Sequence, residues 1–228
     1  MSTKVFVLGR PGSGKSTAAH HIMQTLGTYN ITTARMDDFT ILSEMCESDS
    51  THMLFRPIDR GGFDVLDASV LDLALAQLET QAVARMAYEH IEVVILEFAR
   101  ADYRAALSNF SRAFLQSACF LFVNADADTC KARICQRALH PRGPDDHPVS
   151  EEVLERYYAT DNSEDMVESL KEAYGHEQHI RMIKNNGTLS LLEFLDSVDD
   201  FTRAILAGVS APFAREIMSV PASRFDAM

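Results

Sequence analysis

The 228-residue sequence predicts an α/β fold with a mostly parallel, five-stranded sheet flanked by helices. Three observations carry that expectation. Short β-branched apolar runs recur along the chain, amphipathic segments with apolar residues three and four apart separate them, and a glycine-rich turn joins the first run to the first helix. Parallel neighbours need a crossover of a dozen or more residues, which the intervening helices supply.

Residues 5–8 form a short apolar run ending at Gly9, as a buried parallel strand requires. A helix follows over 15–26, with Gly27 as its stop. Residues 31–36 read as the second strand and end on the acids Asp37 and Asp38. The stretch 43–63 reads as irregular and polar, closing on Gly61 and Gly62. Leu71, Leu75, Leu78 and Ala82 then mark one face of a long helix, which Asp64 or Asp67 is placed to cap. Residues 91–97 (IEVVILE) are the strongest strand signal, followed by a helix over 102–116 and a buried strand over 119–123.

Asp126 opens a helix through Cys130 and Arg137. Three prolines and a glycine exclude regular structure from 140–148, after which Ser150 caps another helix, with Glu151 and Glu152 in its first turn. Residues 179–184 are the last strand and 185–187 a turn. Ser190 and Glu193 form a capping box for a helix that runs to Ala207 and ends at Gly208.

Composition narrows the function. The formal charge of −12 disfavours a nucleic-acid surface, because duplex binding needs a basic face to displace counterions. No apolar run approaches the roughly 18 residues that span a bilayer. The short run before Gly9 is no leader h-region, which points to the cytoplasm. Cys46, Cys119, Cys130 and Cys135 form no CxxC pair, and His140 and His147 complete no HxxxH pair, so free thiols are expected rather than a zinc site.

Residues 9–16, GRPGSGKS, satisfy G-x-x-x-x-G-K-[ST] directly between a strand and a helix. Glycines there let backbone N–H groups curl round phosphate oxygens, and the helix N-terminus points its positive end at the same anion. The pattern predicts ATP held by Gly9, Arg10, Pro11, Gly12, Ser13, Gly14, Lys15, Ser16 and Thr17, with Lys15 on the β/γ-oxygens and the Ser16 hydroxyl on Mg²⁺. In a parallel sheet, ligands gather beyond the carboxyl ends of the strands. Asp37, Asp38 and Glu97 stand at two such ends, where phosphoryl transfer needs one group to deprotonate an acceptor hydroxyl and another to hold the metal. Solvated capping acids are the alternative.

The loop, the Asp37-x-Phe39 piece after the second strand and Glu97 ending the third together resemble the nucleoside and nucleotide kinase group of P-loop proteins. That resemblance implies a three-layer P-loop NTPase sandwich with a small mobile lid. The Asp-x-Phe piece is similar to the uridine kinase and phosphoribulokinase branch, implying Asp37 as base and Glu97 as the residue serving metal and acceptor. ARICQRALHPRG, residues 132–143, resembles the start of the adenylate kinase lid and implies Arg133 and Arg137, with Arg142, as a phosphate clamp. The segment from Ile183 to Phe201 resembles that family's last strand, base-contacting turn and terminal helix, which implies Asn185 and Asn186 beside the adenine.

The adenylate kinase pattern Asp-Gly-Phe-Pro-Arg is replaced here by Glu97-Phe98-Ala99-Arg100, so AMP is not the implied acceptor. Arg56, Arg60 and Arg100 fall where an acceptor pocket forms and suit an acceptor bearing its own anionic group. The resulting expectation is one kinase-like domain over 1–208, with a lid over 133–160, an acceptor region over 40–90 and a tail over 209–228. It acts as an ATP- and Mg²⁺-dependent kinase of a small molecule. A nucleotide-dependent ATPase switch, or a toxin-like kinase of a nucleotide-sugar or polynucleotide, stays open.

Overall fold

The computed structural model describes residues 2–58, 62–139, 143, 145, 149–174 and 179–218. In chain order the elements begin with β1 (Thr3–Leu8), α1 (Lys15–Thr28), β2 (Thr33–Asp37) and α2 (Asp38–Ser48). Then come β3 (Phe55–Pro57), β4 (Phe63–Val65), α3 (Ser69–Tyr88) and β5 (Val93–Phe98). The second half runs through α4 (Tyr103–Leu107), α5 (Arg112–Leu115), β6 (Cys119–Asn124) and α6 (Ala127–Leu139). It closes with α7 (Glu151–Arg156), α8 (Ser163–Tyr174), β7 (Ile180–Lys184) and α9 (Leu191–Met218).

The main sheet has the order β2-β5-β1-β6-β7, and each of its neighbouring pairs is parallel. A small antiparallel hairpin, β3-β4, stands apart from it. Alternation along the strands feeds two cores, as a sheet covered on both faces demands. Val5 and Val7 of β1 pack with Ile22 of α1 and Phe201 of α9. Phe6 and Leu8 face the other way, into a cluster with Leu75 and Leu78 of α3. There Phe6 stacks on Phe120 at 5.1 Å and meets Phe110 edge-on at the same distance. The two cores and the sheet between them make the expected three layers.

Several local expectations are corrected. Residues 43–63 are not irregular throughout: α2 continues to Ser48, because Ile41 and Leu42 are buried and Met45 and Cys46 pack beside them at helical spacing. The antiparallel strands β3 and β4 follow at 55–57 and 63–65. The helix expected over 102–116 is two, since the Ser111 hydroxyl accepts from the Phe114 N–H and caps a fresh turn. Gly27 lies inside α1, and α9 continues beyond Gly208 to Met218. A helical glycine costs about 1 kcal/mol against alanine, too little to end a helix that packing sustains. Asp67 accepts from the Ser69 N–H at 2.9 Å at the start of α3, whereas Asp64 belongs to β4 and is buried against Arg56. The stretch 140–148 lies mostly outside the described residues.

Asp49 closes α2 and organises the turn into β3. Its Oδ2 accepts from the N–H groups of Leu54 at 2.8 Å and Phe55 at 3.1 Å, and its Oδ1 from the Thr51 hydroxyl at 2.8 Å. Burial alone raises its pKa, but these bonds to the charged form outweigh burial and hold it at about 2. A carboxyl group depressed in this way contributes stability that is full above the unfolded value of about 4 and is lost as pH falls from there towards 2. Asp49→Asn is therefore expected to lower the urea midpoint at pH 7 and to flatten its decline between pH 4 and pH 2. Parallel midpoint–pH curves for the two proteins would refute this.

Candidate active site

The phosphate loop leaves β1 at Leu8 and enters α1 at Lys15. Two of its glycines are required where they stand. Gly12 has φ +80°, and a Cβ there would sit 2.7 Å from the Cys130 carbonyl oxygen. Gly14 has φ +109°, and its Cβ would sit 2.8 Å from Asn185 Nδ2, the atom that donates to the Ser13 carbonyl at 2.7 Å. Helix α1 has no side-chain cap and no acid in its first turn, which leaves its leading amides for an anion. Ser13 is fully buried, and its hydroxyl holds no partner. These features fit a polyphosphate.

Lys15 is only 8% exposed, and its ammonium donates to the Arg10 carbonyl at 2.9 Å, spanning the loop. Burial lowers its pKa, while the nearby Glu97 and Asp38 carboxylates act in the opposite sense. Ser16 Oγ donates to Glu97 Oε1 at 2.7 Å. Glu97 reaches that position from the end of β5, in register with Val7 of β1 and Asp37 of β2. A hydroxyl and a carboxylate beside the phosphate loop are hard oxygen donors of the kind Mg²⁺ takes.

Arg35 holds the other oxygen of Glu97, through Nε at 2.9 Å and Nη2 at 2.7 Å. Its Nη1 donates to Asp145 Oδ1 at 2.8 Å, and His20 Nε2 lies 3.1 Å from Asp145 Oδ2. Asp37 is the N-cap of α2, where Oδ1 accepts from the Thr40 N–H and hydroxyl. Its neighbour Asp38 is buried, and Arg100, also buried, donates to it through Nη1. Arg100 further donates to the Ala99 and Leu71 carbonyls. Burial raises the Asp38 pKa, and Arg100 works against that rise. Arg133 reaches back from α6 to the Gly12 and Ser13 carbonyls and to Asn185 Oδ1, each at 3.3 Å.

One cleft of about 1010 Å³ unites this set. Pro11, Gly12, Gly14, Lys15, Ser16 and Thr17 line it, as do Asp37, Asp38, Glu97, Arg100, Arg133 and Arg137. Gly9 and Ser13 of the same loop are buried and are not on the cleft wall.

Three candidates point elsewhere. The Arg10 guanidinium turns to the carbonyls of Ala125 and Tyr158 and to Asp161. Arg56 is committed to Asp64 at 2.7 Å and to Glu152, and is not on the cleft wall. Asn186 accepts from the Asp126 N–H, whereas the adjacent Asn185 faces the loop. Arg60 and Arg142 lie outside the described residues.

Sequence reasoning missed Arg35, His20, Asp145, Tyr157 and Tyr158, all on the cleft wall. Arg35 had a readable signal. It stands two residues before Asp37 in one strand, so both share a face. The others are brought in by tertiary structure; the Tyr158 hydroxyl, for example, donates to the Ala99 carbonyl at 3.2 Å.

A parallel sheet carrying a glycine-rich loop, its lysine and serine, and a strand-end acid bonded to that serine defines a P-loop protein of the nucleotide kinase-like kind. Residues 5–160 match AAA_33, an AAA domain, and the chain belongs to that family. In overall fold it is similar to Kti12 of Chaetomium thermophilum, solved in complex with ADP-AlF3. The TM-score is 0.52 and the identity 14%, over 89% of this chain and 98% of that one. It is also similar to an unliganded sugar kinase from Janibacter sp. HTCC2649, with a TM-score of 0.50 and 15% identity, over 90% and 96%. Identities this low speak to fold alone. No curated protein matches the sequence.

Proposed function

We propose that the protein is an ATP-dependent kinase that moves the γ-phosphoryl group onto a hydroxyl of a small acceptor. The observation that carries this is the Ser16–Glu97 bond beside Lys15, in a cleft whose wall also carries Phe39, Leu42, Phe63 and Leu71. In this reading the loop amides and Lys15 hold the β- and γ-phosphates, and Arg133 and Arg137 descend with a lid over 133–160 to exclude water and clamp charge. Ser16, Glu97 and Asp37 are the residues to hold Mg²⁺, which when bound neutralises phosphate oxygens. Asp37 accepts the acceptor's proton as its oxygen bonds to phosphorus and the bridging oxygen departs with ADP. Kti12 binding ADP-AlF3 supports a nucleotide in the shared fold. Among the described residues no helix is long and apolar enough to cross a membrane; in this reading the kinase works in the cytoplasm.

Asp37→Asn tests the assignment cleanly, because asparagine caps helices as well as aspartate does. It is expected to lower kcat by ~10²–10⁴, the usual worth of a positioned base, with the Kd for nucleotide offered without Mg²⁺ unchanged by calorimetry. An unaltered kcat removes the base. Acceptor-free hydrolysis as fast as the best transfer rate would instead support a nucleotide switch.

A further inference from the structure

We infer that Arg10 is a positioning residue that couples the phosphate loop to the stretch between α7 and α8, residues 157–163, so that nucleotide on the loop orders that stretch. The inference rests on the nucleotide reading of the loop and does not need phosphoryl transfer. Arg10 belongs to two parts of the molecule at once. Its main chain is part of the phosphate loop, where the Arg10 carbonyl accepts from the Lys15 ammonium at 2.9 Å and from the Ser13 N–H at 3.1 Å. Its guanidinium turns away from the cleft. There Nε donates to the Tyr158 carbonyl at 2.9 Å and lies 3.2 Å from Asp161 Oδ2. Nη2 donates to the Ala159 carbonyl at 3.4 Å, and Nη1 to the Ala125 carbonyl at 2.9 Å. Side-chain exposures of 12% and 7% shield Arg10 and Asp161 from water and from salt.

The same stretch is tied on another side to the turn after β5. The Tyr158 hydroxyl donates to the Ala99 carbonyl at 3.2 Å, and the Asn162 N–H donates to the Ala101 carbonyl at 3.2 Å. Asn162 Oδ1 accepts from the Tyr103 N–H at 2.7 Å. Residues 157–163 therefore bridge the chain beyond β1, which carries the phosphate loop, and the chain beyond β5, which carries Glu97. They also supply Tyr157 to the cleft wall.

The direction of the coupling follows from conformational freedom. Phosphate oxygens commit the loop amides and the Lys15 ammonium, which restricts the main chain of Arg10. A guanidinium carried on a fixed backbone has less freedom left to lose in holding its acceptors, so ordering the loop strengthens the contact. By linkage the contact favours nucleotide in the same measure. Within a lid over 133–160, residues 158–160 are then the fixed root.

Hydrogen exchange of the full chain, with and without saturating ADP, tests this. The N–H groups of Tyr158, Asn162 and Ser163 report on the stretch, being bonded to the Val153 and Ala101 carbonyls and the Asp161 carboxylate. In the wild type ADP is expected to slow their exchange about fivefold or more, the lower end of ordinary coupling between sites, together with that of the loop. Arg10→Met alone strands a buried acid, so Asp161→Asn accompanies it; asparagine keeps an oxygen for the Ser163 N–H. In that double variant ADP still protects the loop, while its effect on the stretch falls to about twofold or less. Arg10→Lys keeps the charge beside Asp161 and loses the planar fork, so it serves if the double variant does not fold; its ADP effect is expected to lie between the two. A staple with no part in coupling would speed exchange equally with and without ADP. An ADP effect of wild-type size in either variant therefore overturns the inference, as does loop protection without protection of the stretch in the wild type. No protection of the wild-type loop would sink the nucleotide reading itself, and the inference with it.

Discussion

Replacing Lys15 with alanine is expected to lower nucleotide-dependent phosphoryl transfer by at least ~10²–10³, the usual cost of removing one preorganised group that stabilises transition-state charge. The ammonium is well placed for that loss. It is buried at the end of the loop, fixed to the Arg10 carbonyl, and its charge is favoured by Glu97 and Asp38 although burial opposes it. Fixed charge in a water-poor site acts on developing phosphoryl charge with little dielectric loss. Lys15→Met separates charge from packing, because it keeps most of the stem. Both variants are expected to lose turnover, with Lys15→Met melting close to the wild type. Transfer by Lys15→Met at the wild-type kcat/KM would remove the loop from the chemistry.

Arg100→Met carries the largest stability effect. It leaves Asp38 at 7% exposure with its guanidinium partner gone, a loss worth about 3–5 kcal/mol for a buried pair broken on one side. For a chain of this size that corresponds to a fall in Tm of roughly 6–20 °C. The pH dependence tests the cause. Burial already raises the Asp38 pKa, and deleting the cation that opposes the rise sends it higher. A carboxyl group with a raised folded-state pKa favours folding while protonated and disfavours it once ionised. The variant's deficit should thus shrink as pH falls from 7 to 5 and grow as pH rises through the folded value. Urea midpoints at the two pH values check this, and an equal deficit at both would sink the ion-pair explanation. The double variant Asp38→Leu with Arg100→Met should recover much of the loss, since apolar pairs of similar volume replace buried ion pairs well.

The sheet was legible because its inner strands are largely apolar, β5 (VVILEF) being buried at every position, while the edge strands β2 (TARMD) and β7 (IRMIK) carry polar residues between apolar ones. The phosphate loop was legible because its glycines serve backbone geometry that no other residue tolerates. What stayed hidden was polar and tertiary. Helix α2 buries only a narrow stripe, so its acidic outer face reads as loop. Spacing placed Asp37, Asp38 and Glu97 at one edge, but not which acid is shielded and paired, because that depends on Arg35 of β2 reaching Glu97 on β5 and on Arg100, just past β5, reaching Asp38. Arg10 and Arg56 carry the same charge as those two and differ only in the acid within reach. Side-chain partnership across the fold has no local signature.

Arg35 is shared between Glu97, bonded to Ser16 of the phosphate loop, and Asp145, which also meets His20 of α1. Two anions dividing one delocalised cation each weaken the other's hold on it. Loss of the Asp145 contact would concentrate the guanidinium on Glu97 and make that oxygen a poorer ligand, and its return would relax it. By thermodynamic reciprocity, anything that draws Glu97 away from Arg35 tightens the guanidinium's hold on Asp145, so the two carboxylates are coupled through one cation.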